Sequence, residues 1–287
     1  MREHEYRSVP VPTHLNGKTV QTEFSNNLDK GSYDSGSKYN DSAKVVKNTL
    51  KKIYHYKCAF CEATLKNSYA EIEHYRPKKS SNLTKCDSTK SYYWLAFAWD
   101  NLLPSCKMCN ISKSNCFDIY NIRADCNKEE DTLTSLHVSL QKYNDSERPK
   151  LLHPEIDKFE EYIHFQKKGK MITDNERVKY TIKICNLNRK YLSELREEII
   201  TDYSNRVKKM FRVLIEMKPK LSEKNMVQVM SLAFDEVFKK SKIDKQFSAV
   251  SLDIYNDFPI FLNRITVLAD KDKKIILLLW KQYKENK

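Results

Sequence analysis

Two cysteine pairs, Cys58-Ala-Phe-Cys61 and Cys106-Lys-Met-Cys109, stand at the two ends of one segment of the chain. Each Cys-x-x-Cys pair can supply two thiolate ligands from a single tight turn, and two such pairs complete the tetrahedral ligand set of a structural zinc ion. The spacing therefore predicts that zinc closes this segment into a loop. The alternative is a group of ordinary buried or redox-active thiols.

The N-terminus gives no reason to expect export to an oxidising compartment. The first six residues are charged and lack the apolar stretch that a secretory signal needs. Disulfides are rare in proteins that stay inside the cell, so zinc ligation is the favoured interpretation of the cysteine pairs. The longest apolar run, residues 275–280, is far shorter than the roughly 20 residues that span a bilayer. We expect a soluble, cytoplasmic protein with no membrane partner.

The residues between and beside the cysteine pairs carry further motifs. They are Cys58-Ala-Phe-Cys-Glu62, Ile72-Glu-His-Tyr-Arg-Pro-Lys78, Trp99-Asp-Asn-Leu102 and Asn110, directly after the last cysteine. Together they resemble the HNH endonucleases, or ββα-metal nucleases, in the variant whose third motif residue is asparagine. More narrowly, they resemble the PtuB-like HNH subunits of Septu and retron-linked anti-phage systems. The resemblance is tight over residues 58–113.

This resemblance implies a role for each of four motif residues. His74 would be the general base, and an imidazole with a pKa of about 6.5 is largely neutral at cellular pH and can accept a proton. Glu73 and Asn110 would bind one divalent cation, while Asn101 would brace the loop that carries His74. One carboxylate and one amide oxygen leave coordination positions for water and phosphate oxygens, which favours Mg²⁺ or Mn²⁺.

Two positions leave the ligand set open. Asn110 stands where many HNH nucleases have histidine, so the catalytic position should bind Zn²⁺ or Ni²⁺ less well relative to Mg²⁺. Asp100, beside Asn101, could reach the same cation or could cap a turn, as acidic residues at a loop-to-helix junction often do. Taken singly, the Glu73-His74 pair could also be a solvated surface dipeptide, and Asn110 could be a helix cap.

The charge balance agrees with a nucleic-acid partner. The chain has 51 Lys and Arg against 38 Asp and Glu, a formal net charge of +13. Such a surplus attracts a polyphosphate backbone, although many lysine-rich proteins are basic for other reasons. Near the motifs, Arg76, Lys78 and Lys113 are the predicted contacts to the phosphates of DNA or RNA, with ordinary solvated charge as the alternative for each. A run of lysines between residues 44 and 57 could follow the same backbone.

The sequence predicts an α+β fold, in which a zinc-stabilised ββα-metal HNH nuclease core precedes a mainly helical C-terminal region. Residues 1–41 hold most of the glycines and predict an extended or flexible segment. Residues 42–130 would form the nuclease core with its zinc site. Residues 131–176 would be a connector with a β-hairpin around Lys168-Gly169. Residues 177–287 carry apolar positions at spacings of three and four, typical of amphipathic helices.

The apolar faces of the predicted C-terminal helices are explained most simply by packing within the protein, but one of these faces could dock a partner. The resemblance implies a PtuA-like ATPase subunit and, in retron-linked systems, a reverse transcriptase with its nucleic acid. The chain has no Gly-x-x-x-x-Gly-Lys-Ser/Thr loop, so any ATP dependence would come from a partner. The candidate functions are a partner-controlled HNH endonuclease, a non-catalytic zinc-ribbon scaffold or nucleic-acid-binding subunit, and a stand-alone restriction or homing nuclease.

Overall fold

The computed structural model describes residues 9–33, 40–66, 70–80, 90–217 and 221–287. The chain forms two compact units, one from residues 1–162 and 173–187 and the other from residues 163–172 and 188–287. The described residues are mostly helical with two small antiparallel sheets, which confirms the predicted α+β class. In the same residues, no helix combines the length and the apolar character that crossing a membrane requires.

In its described residues, the first unit contains six α-helices and one two-stranded sheet. The helices are α1 (Lys18–Lys30), α2 (Asn40–Ile53), α3 (Lys107–Lys113), α4 (Leu133–Leu136), α5 (Leu140–Glu147) and α6 (Glu176–Ile184). Strands β1 (Ala70–His74) and β2 (Leu102–Cys106) pair antiparallel, with His74 opposite Leu102. The helix α3 follows β2 without a loop, so the two paired strands and this helix form a β-β-α arrangement. Val46 and Leu50 of α2 pack beside it, in an apolar cluster with Leu102.

The first cysteine pair is fixed to this element through its backbone. The amide of Cys58 donates to the carbonyl of Ala63 over 2.9 Å, and Glu62 takes a left-handed conformation with φ of 61°. The amide of Ala59 donates to the carbonyl of Pro104 in β2, also over 2.9 Å. Lys57, the last lysine of the basic run, is buried and pairs with Glu62 at 3.1 Å. This turn is therefore part of the core, and Lys57 does not belong to a basic surface.

Part of the segment predicted to be extended or flexible is helical. Val20, Phe24 and Asn27 of α1 are buried and recur at spacings of three and four, so one face of this helix contributes to the core. The helix ends at Gly31, whose φ of 61° is the left-handed conformation that glycine adopts at helix C-termini. The polar and glycine-rich composition of residues 1–41 conceals this short stripe. Residues 1–8 and 34–39 lie outside the described residues.

Within the part of the second unit that the structure describes, there are a hairpin and five α-helices. Strands β3 (His164–Phe165) and β4 (Met171–Ile172) pair antiparallel, as predicted, around a turn in which Gly169 has a φ of 68°. A Cβ atom at Gly169 would lie 2.0 Å from the carbonyl oxygen of Ser193, so only glycine fits there. The helices are α7 (Lys190–Met217), α8 (Glu223–Lys240), α9 (Ser248–Asn256), α10 (Phe258–Asn263) and α11 (Asp270–Glu285). The sequence predicts that Pro219 ends the longest helix, since proline cannot continue one, and Pro219 lies outside the described residues.

The two units divide the chain differently from the four predicted segments. The hairpin, predicted as part of a connector, belongs to the second unit together with α7–α11. Residues 177–187, predicted as the start of the C-terminal region, belong to the first unit. Residues 177–187 belong there because they contact residues distant in sequence. For example, the hydroxyl of Thr181 in α6 accepts from the amide of Leu152 over 3.0 Å.

We expect the stability of the first unit to depend on pH through His137. Its Nδ1 accepts from the amide of Trp99 and its Nε2 lies 3.1 Å from Asn16 Oδ1, so both ring nitrogens are used by the neutral form. Burial lowers its pKa to about 4. The unfolded chain, with a pKa near 6.5, binds a proton that the folded chain does not. We therefore expect the contribution of His137 to the free energy of unfolding to be fully present above pH 6.5 and to be lost as the pH falls from 6.5 to 4. At pH 5 the loss should be about 2 kcal/mol.

Urea unfolding at pH 7 and pH 5, measured for the unaltered chain and for His137→Gln, checks this expectation. Glutamine does not titrate in this range, so the variant should lose about 2 kcal/mol less than the unaltered chain between the two pH values. Equal losses in both proteins would show that His137 is not the titrating group. Comparing the two proteins at each pH cancels the contribution of other groups, including the cysteines.

Candidate metal centre and catalytic cleft

The four predicted zinc ligands come together. The Sγ atoms of Cys58, Cys61, Cys106 and Cys109 all lie within 4.8 Å of one another, and those of Cys61 and Cys106 are 3.8 Å apart. A tetrahedral site with Zn–S bonds of about 2.3 Å has sulfur–sulfur edges of roughly 3.8 Å. All but the half-buried Cys106 are buried. This group could therefore hold a structural zinc ion.

Helix α3, which carries Cys109, is fixed to β1 by two side chains. Lys113 Nζ donates to Glu73 Oε1 over 2.7 Å and to the carbonyl oxygen of His74 over 2.8 Å. Asn110 Nδ2, one turn earlier on α3, donates to Glu71 Oε2. The cysteine group and these contacts therefore place α3 and the Glu73-His74 pair against each other.

Two pockets open at this junction and share the lining residues Ile72, His74, Lys78 and Asn110. Their volumes are about 380 Å³ and 310 Å³. Glu73 lines the first pocket; Glu71, Lys47 and Tyr33 are among the residues that line the second. We call the two pockets together the cleft. It brings together three of the four predicted catalytic residues: Glu73, His74 and Asn110.

The ring of His74 has a defined orientation. Its Nε2 lies 3.0 Å from the carbonyl oxygen of Ala96. A carbonyl can only accept, so Nε2 carries the proton of the neutral ring and Nδ1 keeps its lone pair. Burial holds the pKa of His74 well below its usual value, and the nearby charges of Lys78 and Lys113 lower it further. The imidazole is thus held in the neutral state, with Nδ1 as its proton acceptor.

Glu73 offers an oxygen that the protein leaves unsatisfied. Its side chain is only 3% exposed, and Oε1 is taken by Lys113. Among the described residues, Oε2 has no hydrogen-bond partner. Burial raises the pKa of this carboxyl, and Lys113 opposes that shift. A buried carboxylate oxygen without a partner is unfavourable unless a cation binds it, and oxygen is the donor that Mg²⁺ and Mn²⁺ prefer. The residues present therefore fit a divalent cation.

Asn101 connects the two loops beside His74. Its Oδ1 accepts from the amide of Arg76 over 2.7 Å, while its Nδ2 donates to the carbonyl oxygens of Arg76 and Leu95 over 3.1 and 3.0 Å. Leu95 immediately precedes Ala96, whose carbonyl orients the His74 ring. The contacts are those of a brace, although its importance for catalysis stays a prediction.

Asn101→Ala should lower the free energy of unfolding by about 3 kcal/mol, because three buried backbone groups would lose their partner and each costs about 1–3 kcal/mol when unsatisfied. Urea unfolding of the zinc-loaded chain measures this. Asn121→Ala is the matched control, since Asn121 is exposed and its side chain donates one hydrogen bond, to the carbonyl of Ser146. We expect the control to lose under about 1 kcal/mol. Equal losses in both variants would contradict the assignment of Asn101.

Of the three predicted phosphate contacts, only Lys78 lies in the cleft. It is half-buried, its Nζ lies 4.5 Å from the centre of the Tyr33 ring, and burial lowers its pKa to about 8. Arg76 is instead 1% exposed and pairs with Glu147 at 2.8 Å. Lys113 is fully buried against Glu73. Because both cations have internal partners, their positions fit a structural role better than a phosphate contact.

Asp100 caps a backbone amide at the start of α5. Its side chain is buried, and Oδ2 accepts from the amide of Leu140 over 2.6 Å at the first residue of α5. This helix also supplies Glu147, the partner of Arg76. The contact ties the segment that carries Asn101 to α5.

Glu71 is the residue that sequence reasoning missed. It contacts Asn110 and lines the cleft, yet no motif singles it out. One signal was available. In an extended strand, side chains two residues apart point to the same side, so a glutamate two positions before Glu73 was a candidate for the same neighbourhood.

Comparison with known proteins gives the family. The chain is 31% identical to the Septu protein PtuB of Bacillus mycoides (strain KBAB4) over 233 residues, which is 74% of each protein. It is 37% identical over 70 residues to the Septu protein PtuB of Bacillus thuringiensis, covering 24% of this chain and 23% of that protein. No protein-family model matches, and no solved structure matches significantly.

A further match is to a different Septu protein. The chain is 30% identical over 168 residues to the Septu protein PtuA of the same Bacillus mycoides strain. The match covers 56% of this chain and 21% of that PtuA. That PtuA therefore contains a segment related to this chain. The longer match, over most of both proteins, is to PtuB, and the chain belongs to the Septu PtuB family.

Proposed function

We propose that this PtuB-family protein is a metal-dependent HNH endonuclease that hydrolyses phosphodiester bonds of nucleic acid in a Septu anti-phage defence system. The observation that carries the proposal is the joint placement of three groups in one cleft. They are the His74 ring with its proton acceptor fixed, the Oε2 of Glu73, which has no hydrogen-bond partner among the described residues, and the side chain of Asn110. The consecutive β1, β2 and α3 elements that carry them have the order expected for a ββα-metal core.

Each group has a distinct task in this proposal. A Mg²⁺ or Mn²⁺ ion held by Glu73 Oε2 and Asn110 Oδ1 would neutralise negative charge on the scissile phosphate. His74 Nδ1 accepts the proton of the attacking water, while Nε2 stays bonded to the carbonyl of Ala96. Lys78 supplies a positive charge to a phosphate oxygen from the cleft wall. Asn101 holds the loops that fix these positions.

The surroundings of the cleft suit a polyanionic substrate. Lys47 of α2 lines the same pocket as Lys78, so two lysines border the cleft in a chain whose formal net charge is +13. Tyr33 lies under Lys78 and could stack on an unpaired base. DNA and RNA both present the phosphate that this arrangement would bind.

A PtuA-like ATPase is the proposed partner, and a reverse transcriptase with its nucleic acid joins in a retron-linked setting. The chain contains no phosphate-binding loop of the Gly-x-x-x-x-Gly-Lys-Ser/Thr type, so it depends on another subunit for any control by ATP. The family membership supports this proposal because the name Septu is shared by PtuB and PtuA relatives of this chain.

A cleavage assay distinguishes a nuclease from a zinc-ribbon scaffold. The purified chain, alone and with a PtuA-like subunit and ATP, is incubated with end-labelled duplex DNA, single-stranded DNA and folded RNA, with Mn²⁺, Mg²⁺ or EDTA. New ends that require the divalent ion support the proposal. Binding without new ends in every combination would contradict it and favour the scaffold. Sequence-specific nicking by the isolated chain would favour a stand-alone nuclease.

A further inference from the structure

The contact between Asn110 and Glu71 bears on which atom of Asn110 faces the cleft. Asn110 Nδ2 donates to Glu71 Oε2, across from α3 to β1. In the part of the chain that the structure describes, Asn110 Oδ1 makes no hydrogen bond. Asn110 lines both pockets of the cleft, and Glu73, with its unpartnered Oε2, lines one of them.

An asparagine amide can turn over, and only one of the two orientations is useful for binding a cation. The oxygen can ligate a metal, whereas the NH₂ group only donates hydrogen bonds. A carboxylate only accepts, so Glu71 selects the orientation in which the NH₂ group points to it and the oxygen points away. From this geometry we infer that Glu71 is a positioning residue, which fixes the Asn110 amide so that its oxygen is available to a divalent cation in the cleft.

This inference rests on the proposed function, because it assigns Glu71 to the same cation site. A direct ligand role for Glu71 would use the same carboxylate but would have a different energetic signature. A positioning residue acts only through Asn110, so its effect disappears once Asn110 is removed. An independent ligand adds its effect to that of Asn110.

Mn²⁺ binding to the full, zinc-loaded chain, followed by electron paramagnetic resonance, provides a readout that does not depend on cleavage. In Glu71→Gln, the introduced amide can pair with either orientation of Asn110, and we expect Mn²⁺ affinity to fall about tenfold, as for other residues that orient metal ligands. Asn110→Ala should bind Mn²⁺ more weakly still. The double variant should bind it no more weakly than Asn110→Ala alone.

Two further variants separate positioning from packing. Glu71→Asp keeps a group that only accepts, so it should bind Mn²⁺ more tightly than Glu71→Gln, although glutamine is closer in shape to glutamate. Glu198→Gln makes the same chemical change at an exposed position of α7 in the second unit and should leave affinity unchanged. Zinc content, measured for each variant, reports that the fold is intact.

The possible outcomes distinguish the inference from the proposed function. Unchanged Mn²⁺ affinity in Glu71→Gln, or additive losses in the double variant, would overturn the positioning role and leave the nuclease proposal standing. Weaker binding by Glu71→Asp than by Glu71→Gln would indicate packing and would also overturn it. If the unaltered chain binds no Mn²⁺ and cuts no nucleic acid, the proposed function and the inference both fail.

Discussion

Replacing His74 with alanine is expected to slow cleavage about 10²–10⁴-fold, the usual contribution of a general base. The variant loses Nδ1, the ring atom left free to accept a proton once Nε2 is bonded to the carbonyl of Ala96. Folding should survive, because the contacts that hold α3 to β1 come from Glu71, Glu73 and the His74 carbonyl rather than from the imidazole. End-labelled substrate cleaved in the presence of Mn²⁺ measures the rate.

His14→Ala is the matched control, since this histidine is exposed and outside the cleft. It should cut at the rate of the unaltered chain. Zinc content of both variants should match the unaltered chain, and each variant should still unfold in one cooperative thermal transition. A pure His74→Ala preparation that cuts at full rate would remove His74 as the base, even if the metal dependence of cleavage remained.

Replacing Cys109 with serine is expected to have the largest effect on stability. Structural zinc sites contribute about 10–16 kcal/mol of apparent binding free energy, which small metal-dependent folds use as folding free energy. Cys109 is fully buried, and it precedes Asn110 on α3, so loss of one sulfur should release zinc and separate this helix from the strand that carries Glu73. We expect loss of bound zinc, a melting temperature lowered by more than about 10 °C and no cleavage.

Metal analysis by mass spectrometry and thermal unfolding check this result together. Cys126→Ser is the control, because Cys126 is a free, half-buried cysteine outside the group of four. It should retain one zinc ion per chain and the unaltered melting temperature. A Cys109→Ser protein that melts normally, or an unaltered protein that is stable without zinc, would show that the four sulfurs do not hold the first unit together through a metal.

Local patterns in the sequence were sufficient to predict the cysteine group. Each Cys-x-x-Cys turn positions its own two sulfurs, so only the meeting of the two turns had to be inferred. The adjacency of Glu73 and His74 is likewise a property of the chain itself. The apolar periodicity also predicted helices in the C-terminal region, because an amphipathic stripe depends on the spacing of residues within one element.

Contacts between residues distant in sequence could not be predicted. Arg76 and Lys113 look like surface cations in sequence, but each is buried against a carboxylate, 71 residues away for Glu147 and 40 residues away for Glu73. A charge is tolerated in the interior only when such a partner exists, and the sequence does not show which acid it is. The same limit concealed the contact between Glu71 and Asn110, 39 residues apart.

The central claim is that Glu73 and Asn110 hold a divalent cation beside His74. Anomalous diffraction from crystals of the zinc-loaded chain soaked in Mn²⁺ tests it most directly. Two metal peaks are predicted: zinc among the four sulfurs, and manganese in the cleft bonded to Glu73 Oε2 and Asn110 Oδ1. A cleft without manganese at concentrations that support cleavage, or manganese bound to other residues, would contradict the claim.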